Sequence, residues 1–156
     1  MMMTIEPLLS EIDTLIEAGD WSGALARVIA CMKADSGTIH VMGADDGQLH
    51  LRAASAGIPP HVLEIVRVVP VGKGMAGLAA ERGEPVSICN IQTDTSGDVR
   101  PGARAAGLEG AIALPMLLAD GAVAGVLGVA NRAARTFTAE ETGRLLAIGR
   151  TLARFV

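Results

Sequence analysis

The stretch Val68–Gly83, VVPVGKGMAGLAAERG, decides the fold. Within it, Gly72-Lys73-Gly74-Met75-Ala76-Gly77 spells G-x-G-x-x-G after a β-branched run and before an alanine-rich helical pattern. That is the written form of a dinucleotide fingerprint, and Asp94 follows near the spacing at which such a site places an acid for a ribose. The surroundings disagree. A doubly wound parallel sheet repeats strand–helix–strand units, whereas hairpins flank this one. Gly83 and Pro85 stop the helix after Gly77 short of the roughly dozen residues that a parallel crossover needs. The Walker form fails because Lys73 is followed by Gly74 rather than Ser or Thr. The glycines are therefore read as a tight strand-to-helix turn with clearance for close helix–sheet packing.

Upstream, Thr38–Ser55 reads TIHVMGADDGQLHLRAAS, two alternating strands around Asp45-Asp46-Gly47. A tight turn would pair Ile39 with Ala54 and Val41 with Arg52, mixing polar and apolar positions on one face. A loop from Gly43 to Gly47 instead pairs Ile39 with Leu51 and Val41 with Leu49 and sets His40 opposite His50, and it is preferred. Pro59-Pro60 opens a short helix through Val66, Val68 to Val71 is a strand, and Val86 to Ile91 is another. The polar segment from Gln92 to Gly110 is too long for a bare loop and predicts a short helix around Arg100 to Ala106. Downstream, Ala111–Ala119 and Ala122–Asn131 form two long strands turned by Asp120-Gly121. Their register pairs Ile112 with Val129, Leu114 with Leu127 and Leu118 with Val123. The other face is small: Ala113, Ala124, Gly128 and Ala130. Two apolar faces predict a hairpin covered on both sides.

Helical stripes close the two ends. Ile5, Leu8, Leu9, Ile12, Leu15 and Ile16 form the first, ended by Gly19; Asp20 caps a second carrying Trp21, Leu25, Val28, Ile29 and Met32. The first stripe needs a cover, either the far C-terminus or a second subunit. The last helix begins near Thr138, with Glu140 and Glu141 in its first turn, and buries Leu145, Ile148, Leu152 and Phe155.

The chain has 156 residues and a formal net charge of −4, enough for one domain with one core. No basic block stands out, and Trp21, Phe137 and Phe155 are its sole aromatics. That excludes a phosphate-backbone footprint and a base-stacking platform, so no nucleic acid is expected. Two cysteines, Cys31 and Cys89, are too few for a disulfide scaffold and read as buried thiols in a reducing compartment. No signal peptide is apparent after Met1-Met2-Met3. The apolar stretch Ala111–Ala130 is interrupted by Pro115 and by Asp120-Gly121, a hairpin rather than a membrane span. The expectation is a cytoplasmic protein with no membrane partner.

Four pieces in order, ADSGTIHVMGADDGQLHLRAASAGIP, VVPVGKGMAGLAAERGEPVSICNIQTD, EGAIALPMLLADGAVAGVLGVANR and RTFTAEETGRLLAIG, resemble a GAF domain, a regulatory module of signalling proteins. The resemblance runs from about Trp21 to Phe155 and implies an α+β, PAS-like fold. Its central antiparallel sheet would have about six strands, with the terminal helices on one face and a ligand pocket with short helices on the other. It divides the chain into an amphipathic helix over 1–18, a dimer contact, and a GAF domain over 19–156. Cyclic-nucleotide-binding members carry an Asn-Lys pair, a downstream Phe and Asp-Glu. Here stand Asn131-Arg132, Phe137 and Glu141-Thr142, so the motif departs, although Arg132 can still pair with Glu141. The pocket region offers no aromatic partner for a purine.

What the resemblance implies is a non-catalytic sensor of a small, polar or anionic metabolite, forming a homodimer and acting on a signalling partner in trans. No cofactor is specified and no metal site is expected, since His40 and His50 find no third ligand. The candidate ligand-binding residues are Met75, Cys89, Gln92, Thr93, Asp94, Arg100, Arg104 and Met116. The segment Gln92–Arg104 is the strongest of them, mixing polar groups with an apolar cavity; its arginines suit a carboxylate or phosphate. Two alternatives stay open. One branch of the family reduces free methionine-R-sulfoxide with cysteines in and around the pocket, and the fold can also serve as a dimerisation module with an empty pocket.

Overall fold

The helices at the two ends are defined by their caps. In the computed structural model, which describes residues 5–97 and 107–156, helix α1 spans Glu6–Glu17 and gives way at Gly19 to Asp20, whose Oδ1 accepts the Gly23 N–H at 2.9 Å and starts α2, Trp21–Met32. Helix α5, Ala139–Ala153, opens with a reciprocal box. Thr138 Oγ1 accepts the Glu141 N–H at 3.1 Å, and the Glu141 carboxylate accepts the Thr138 N–H at 2.9 Å. Such a cap contributes about 1 kcal/mol.

Between them lie β1 (Ser36–Met42), β2 (Leu49–Ala54), α3 (Pro60–Val66), β3 (Val68–Val69), α4 (Gly74–Arg82), β4 (Val86–Ile88), β5 (Gly110–Leu117) and β6 (Val123–Asn131). The six strands form one sheet in the order β3-β2-β1-β6-β5-β4, antiparallel at every pairing. This is the expected α+β, GAF-like architecture. The short helix expected around Arg100 to Ala106 lies outside the described residues.

Period-two alternation splits the sheet into two apolar faces. Ile39, Ile112, Leu114, Met116 and Leu127 pack with Ile12, Leu25, Val28, Leu145, Ile148 and Leu152 of the terminal helices. On the other face Leu49, Ala113 and Val126 pack with Ala79 and Ala80 of α4. The hairpin is thus covered on both sides, as its sequence requires. Ile12 and Ile16 of the N-terminal stripe are buried in the first cluster, and Arg154 reaches Asp13 at 3.5 Å. Of the two covers considered, the C-terminal helix, together with α2, supplies it.

Several local expectations need correction. The β1–β2 loop is long, as argued, but the register is one residue off: His40 pairs with Leu51, Val41 with His50 and Met42 with Leu49, and a bulge follows between Ile39 and His40. The cause is the loop itself. The Gly43 N–H donates to the Gln48 carbonyl at 2.7 Å and Asp46 Oδ1 accepts the Gln48 N–H at 3.0 Å, closing the hairpin at Gly43 and Gln48. In the long hairpin, Ile112 meets Val129 and Leu114 meets Leu127 as expected, but a bulge between Met116 and Leu117 brings Leu117, not Leu118, opposite Val123. Strand β3 ends at Val69 and β4 at Ile88. Past β4 the chain stays tied by isolated bonds rather than a ladder, among them the Ile91 N–H donating to the Glu109 carbonyl at 2.6 Å and the Arg135 N–H donating to the Cys89 carbonyl at 3.0 Å. Neither cysteine is buried: Cys31 is on the outer side of α2 and Cys89 lies just beyond β4, both exposed.

The glycine motif does what its surroundings predict. Gly72 and Gly74 hold φ of +90° and +68°, conformations costly to any residue with a Cβ. A Cβ on Gly77 would collide with the Pro70 carbonyl, and the Gly72 N–H donates to the Gly77 carbonyl at 2.8 Å. The motif is a bend between β3 and α4 on an antiparallel sheet.

Candidate functional site

On the sheet face away from the terminal helices, small side chains leave room. Ser36 and Thr38 of β1, Ala111 and Ala113 of β5, and Gly128 and Ala130 of β6 floor a cavity of about 160 Å³. The cross-strand pairs Thr38–Gly128, Ser36–Ala130 and Ala113–Gly128 bring them side by side. Ile58, Val62 and Val66 wall one side from the α3 segment, Met75 and Ala76 another from α4, and Ile91 and Leu108 the rim. Ile112 and Val129 line the cavity and also belong to the core packed on the terminal helices. Since strand side chains alternate, theirs point to the helices and their backbone borders the cavity, so a single sheet layer separates the two.

Polar groups are few. Ser36 and Thr38 carry the hydroxyls among the described lining residues. Ser36 Oγ is engaged with Ser55 Oγ at 3.2 Å, and Ser55 Oγ also accepts the Gly37 N–H at 3.0 Å.

Beside the cavity, His40 is 3% exposed, and its Nε2 lies 2.8 Å from the Val66 carbonyl oxygen. A carbonyl only accepts, so Nε2 carries the proton and Nδ1 is a bare acceptor; Nδ1 is buried without a partner. Burial lowers the imidazole pKa from its ordinary value, opposed by the Val66 bond and assisted by His50. His40 thus ties the end of α3, a cavity wall, to β1. The corrected register puts His50 on the opposite face, where its Nε2 lies 2.8 Å from Asp46 Oδ2. Among the described residues, no group of three or more His, Cys, Asp or Glu side chains is arranged to hold a metal ion.

The residues singled out from sequence scatter. Met75 lines the cavity. Gln92 is exposed and fastens the rim, its Nε2 donating to the Leu108 carbonyl at 2.8 Å. Thr93 is exposed, and Asp94 Oδ2 accepts the Ser96 Oγ–H at 2.6 Å within its own turn. Cys89 lies outside the described lining, with Thr136 Oγ1 3.5 Å from its Sγ. Met116 is fully buried on the other face, among the terminal-helix core, because it shares parity with Ile112 and Leu114. Arg100 and Arg104 lie outside the described residues. Sequence reasoning missed the α3 wall and the Ser36–Thr38 floor, although it did mark Ala113, Gly128 and Ala130 as one small face.

A second polar group joins β6 to α5. Arg135, not Arg132, meets Glu141, with Nη2 2.6 Å from Oε2. Its Nη1 donates to Asn131 Oδ1 at 2.9 Å, and its guanidinium lies 4.3 Å from the Phe137 ring centroid. The backbone N–H of Arg132 donates to Asp35 Oδ2 at 2.8 Å.

The sequence matches the family described as GAF domain over residues 22–156; no curated protein matches it. Among solved structures, the GAF domain of an Acinetobacter phosphoenolpyruvate-protein phosphotransferase is similar at TM-score 0.78 and 20% identity, covering 99% of this chain and 94% of that one. A GAF sensor protein from Burkholderia vietnamiensis is similar at 0.74 and 18%, covering 97% and 92%. A free methionine-R-sulfoxide reductase from Neisseria meningitidis, solved in complex with its substrate, is similar at 0.75 and 16%, covering 95% and 85%. Among the described residues no helix is long and apolar enough to cross a membrane.

Proposed function

This chain belongs to the GAF domain family, and from that premise we propose that it is a non-catalytic sensory domain that binds a small metabolite and reports occupancy through its terminal helices. The observation that carries the reading is the cavity of about 160 Å³ set against strands β1, β5 and β6, whose opposite face packs on α1, α2 and α5. The cavity walls are mostly apolar surface open to water, and an occupant that covers them gains by that burial. A ligand that favours one packing of the floor strands biases the helices behind them by its differential affinity. Ile112 and Val129 are the residues common to both: their side chains pack with the helices, and their alternation with Ala111, Ala113, Gly128 and Ala130 leaves their backbone toward the cavity. The domain acts in the cytoplasm as a homodimer formed through its terminal helices.

The likeness to methionine-R-sulfoxide reductases supports a second reading, an enzyme acting on a free oxidised amino acid. The cysteine positions favour the first: Cys31 and Cys89 are exposed and neither is among the described lining residues. Native mass spectrometry of the protein purified from its own cells tests the sensory reading. A retained small molecule, released on denaturation, is expected; a bare chain from every preparation contradicts it. Turnover of free methionine sulfoxide that disappears in Cys89→Ser would replace it with the enzyme.

A further inference from the structure

Two glycines of β6 have different reasons to be glycine. A Cβ on Gly125 would collide with the His40 carbonyl of the neighbouring strand, so backbone packing demands glycine there. At Gly128 a Cβ would meet Thr38 Oγ1 at 3.4 Å and the Ile112 carbonyl oxygen at 3.9 Å, ordinary contact distances. Its backbone does not require glycine either, because its φ is not in the left-handed region. Glycine inside a strand weakens it, and often marks a place where another group approaches closely. Any side chain at Gly128 would project into the cavity that this residue lines.

We propose that Gly128 keeps open a seat for a compact, uncharged hydrocarbon group, branched or cyclic, which is the buried end of the ligand. The inference rests on the sensory reading above and specifies what that site takes. Size follows from volume: an apolar cavity of about 150 Å³ accepts benzene, and this one is about 160 Å³. Chemistry follows from the walls, which are Val62, Val66, Met75, Ile91 and Leu108 over an alanine floor. No charged side chain is among the described lining residues, so on this floor and these walls an ionised group would lose hydration that none of them replaces. The Thr38 hydroxyl, with no hydrogen bond to another described residue, can meet one neutral polar atom beside the hydrocarbon.

Thermal unfolding with benzene as the probe tests this on wild type, Gly128→Val and Gly128→Ala. Benzene raises the wild-type Tm saturably, raises that of Gly128→Ala less, and leaves Gly128→Val unmoved. Without benzene, Gly128→Val melts at or above wild type, by up to about 2–4 °C, the shift that a strand residue better than glycine brings to a chain of this size. The Ala variant carries the comparison if the Val variant does not fold. No rise in wild type, or an equal rise in every variant, overturns the seat. So does a rise with acetate that Gly128→Val abolishes, which would make it an anion site. A retained metabolite whose ionised end rests on Gly128 overturns the hydrocarbon seat and leaves the sensory reading standing. Benzene binding without any retained metabolite does the reverse.

Discussion

Arg135 and Glu141 meet at 2.6 Å across the turn between the end of β6 and the first turn of α5. Both are largely shielded, with side chains 19% and 27% exposed. The same guanidinium holds Asn131 and stacks on Phe137, while the same carboxylate caps Thr138. Strand end and helix start therefore form one connected polar unit. Replacing Arg135 with Ala strands the Glu141 carboxylate and should destabilise the domain by about 1–2 kcal/mol, measurable by urea unfolding.

The Glu141 carboxyl sits below its ordinary 4.5, held there first by the Thr138 backbone bond and then by Arg135, against partial burial. A depressed carboxyl contributes stability that is complete above the unfolded value and is lost as pH falls through the folded one. Wild type should therefore lose stability more steeply below pH 4.5 than Glu141→Gln, which lacks the titrating group. Parallel curves for the two proteins would contradict the assignment.

His40 acts in a different window. Its pKa is lowered from 6.5, chiefly by burial, so the unfolded chain takes up a proton that the folded chain resists. Its contribution is complete above pH 6.5 and declines as pH falls from there toward the folded value. Urea unfolding at pH 7.5 and 5.5 should show wild type losing stability across the interval and His40→Leu losing less. His40→Leu should also start about 1–2 kcal/mol lower at pH 7.5, because the Val66 carbonyl loses its donor.

Gly125 and Gly128 should part ways on substitution. Gly125→Ala forces a methyl onto the His40 carbonyl and should cost about 1–3 kcal/mol. Gly128→Ala meets ordinary contacts and should be neutral or stabilising by up to about 1 kcal/mol. Equal losses would show that both positions are fixed by backbone packing.

The long hairpin was legible because both its faces are apolar and Asp120-Gly121 leaves no slack, so Ile112 finds Val129. Register failed in the short hairpin because its loop closes at Gly43 and Gln48, a length that alternation does not specify, and in the long one at the Met116/Leu117 bulge, since period two carries no mark of an extra residue. The Arg135–Glu141 tie escaped because the turn after Asn131 decides which arginine faces the helix. The burial of His40 escaped for a similar reason: it is created by α3, which arrives later in the chain. The cavity was half visible, its small floor readable at Ala113, Gly128 and Ala130. Its walls at Ile58, Val62 and Val66 went unmarked, because a short helix carries no sign of which sheet face it will cover.

The N-terminal helix is part of the core rather than an appendage, since Ile12 is fully buried against α2 and α5. Ile12→Ala should cost about 2–5 kcal/mol, read as a lower urea midpoint at constant slope. A loss below about 0.5 kcal/mol, the scale of surface changes, would mean that the helix does not pack there.

The central claim is that occupancy of the cavity on one sheet face is felt by the helices on the other. The direct measurement is a two-dimensional amide NMR titration of wild type and Gly128→Leu with a small-molecule extract of the cells that make the protein. The account expects signals of Thr38, Ala111 and Gly128 to move in wild type together with those of Leu145 and Ile148, while the same signals in Gly128→Leu, apart from residue 128 itself, stay in place. Movement of the same residues in both proteins, or of none in either, would contradict it.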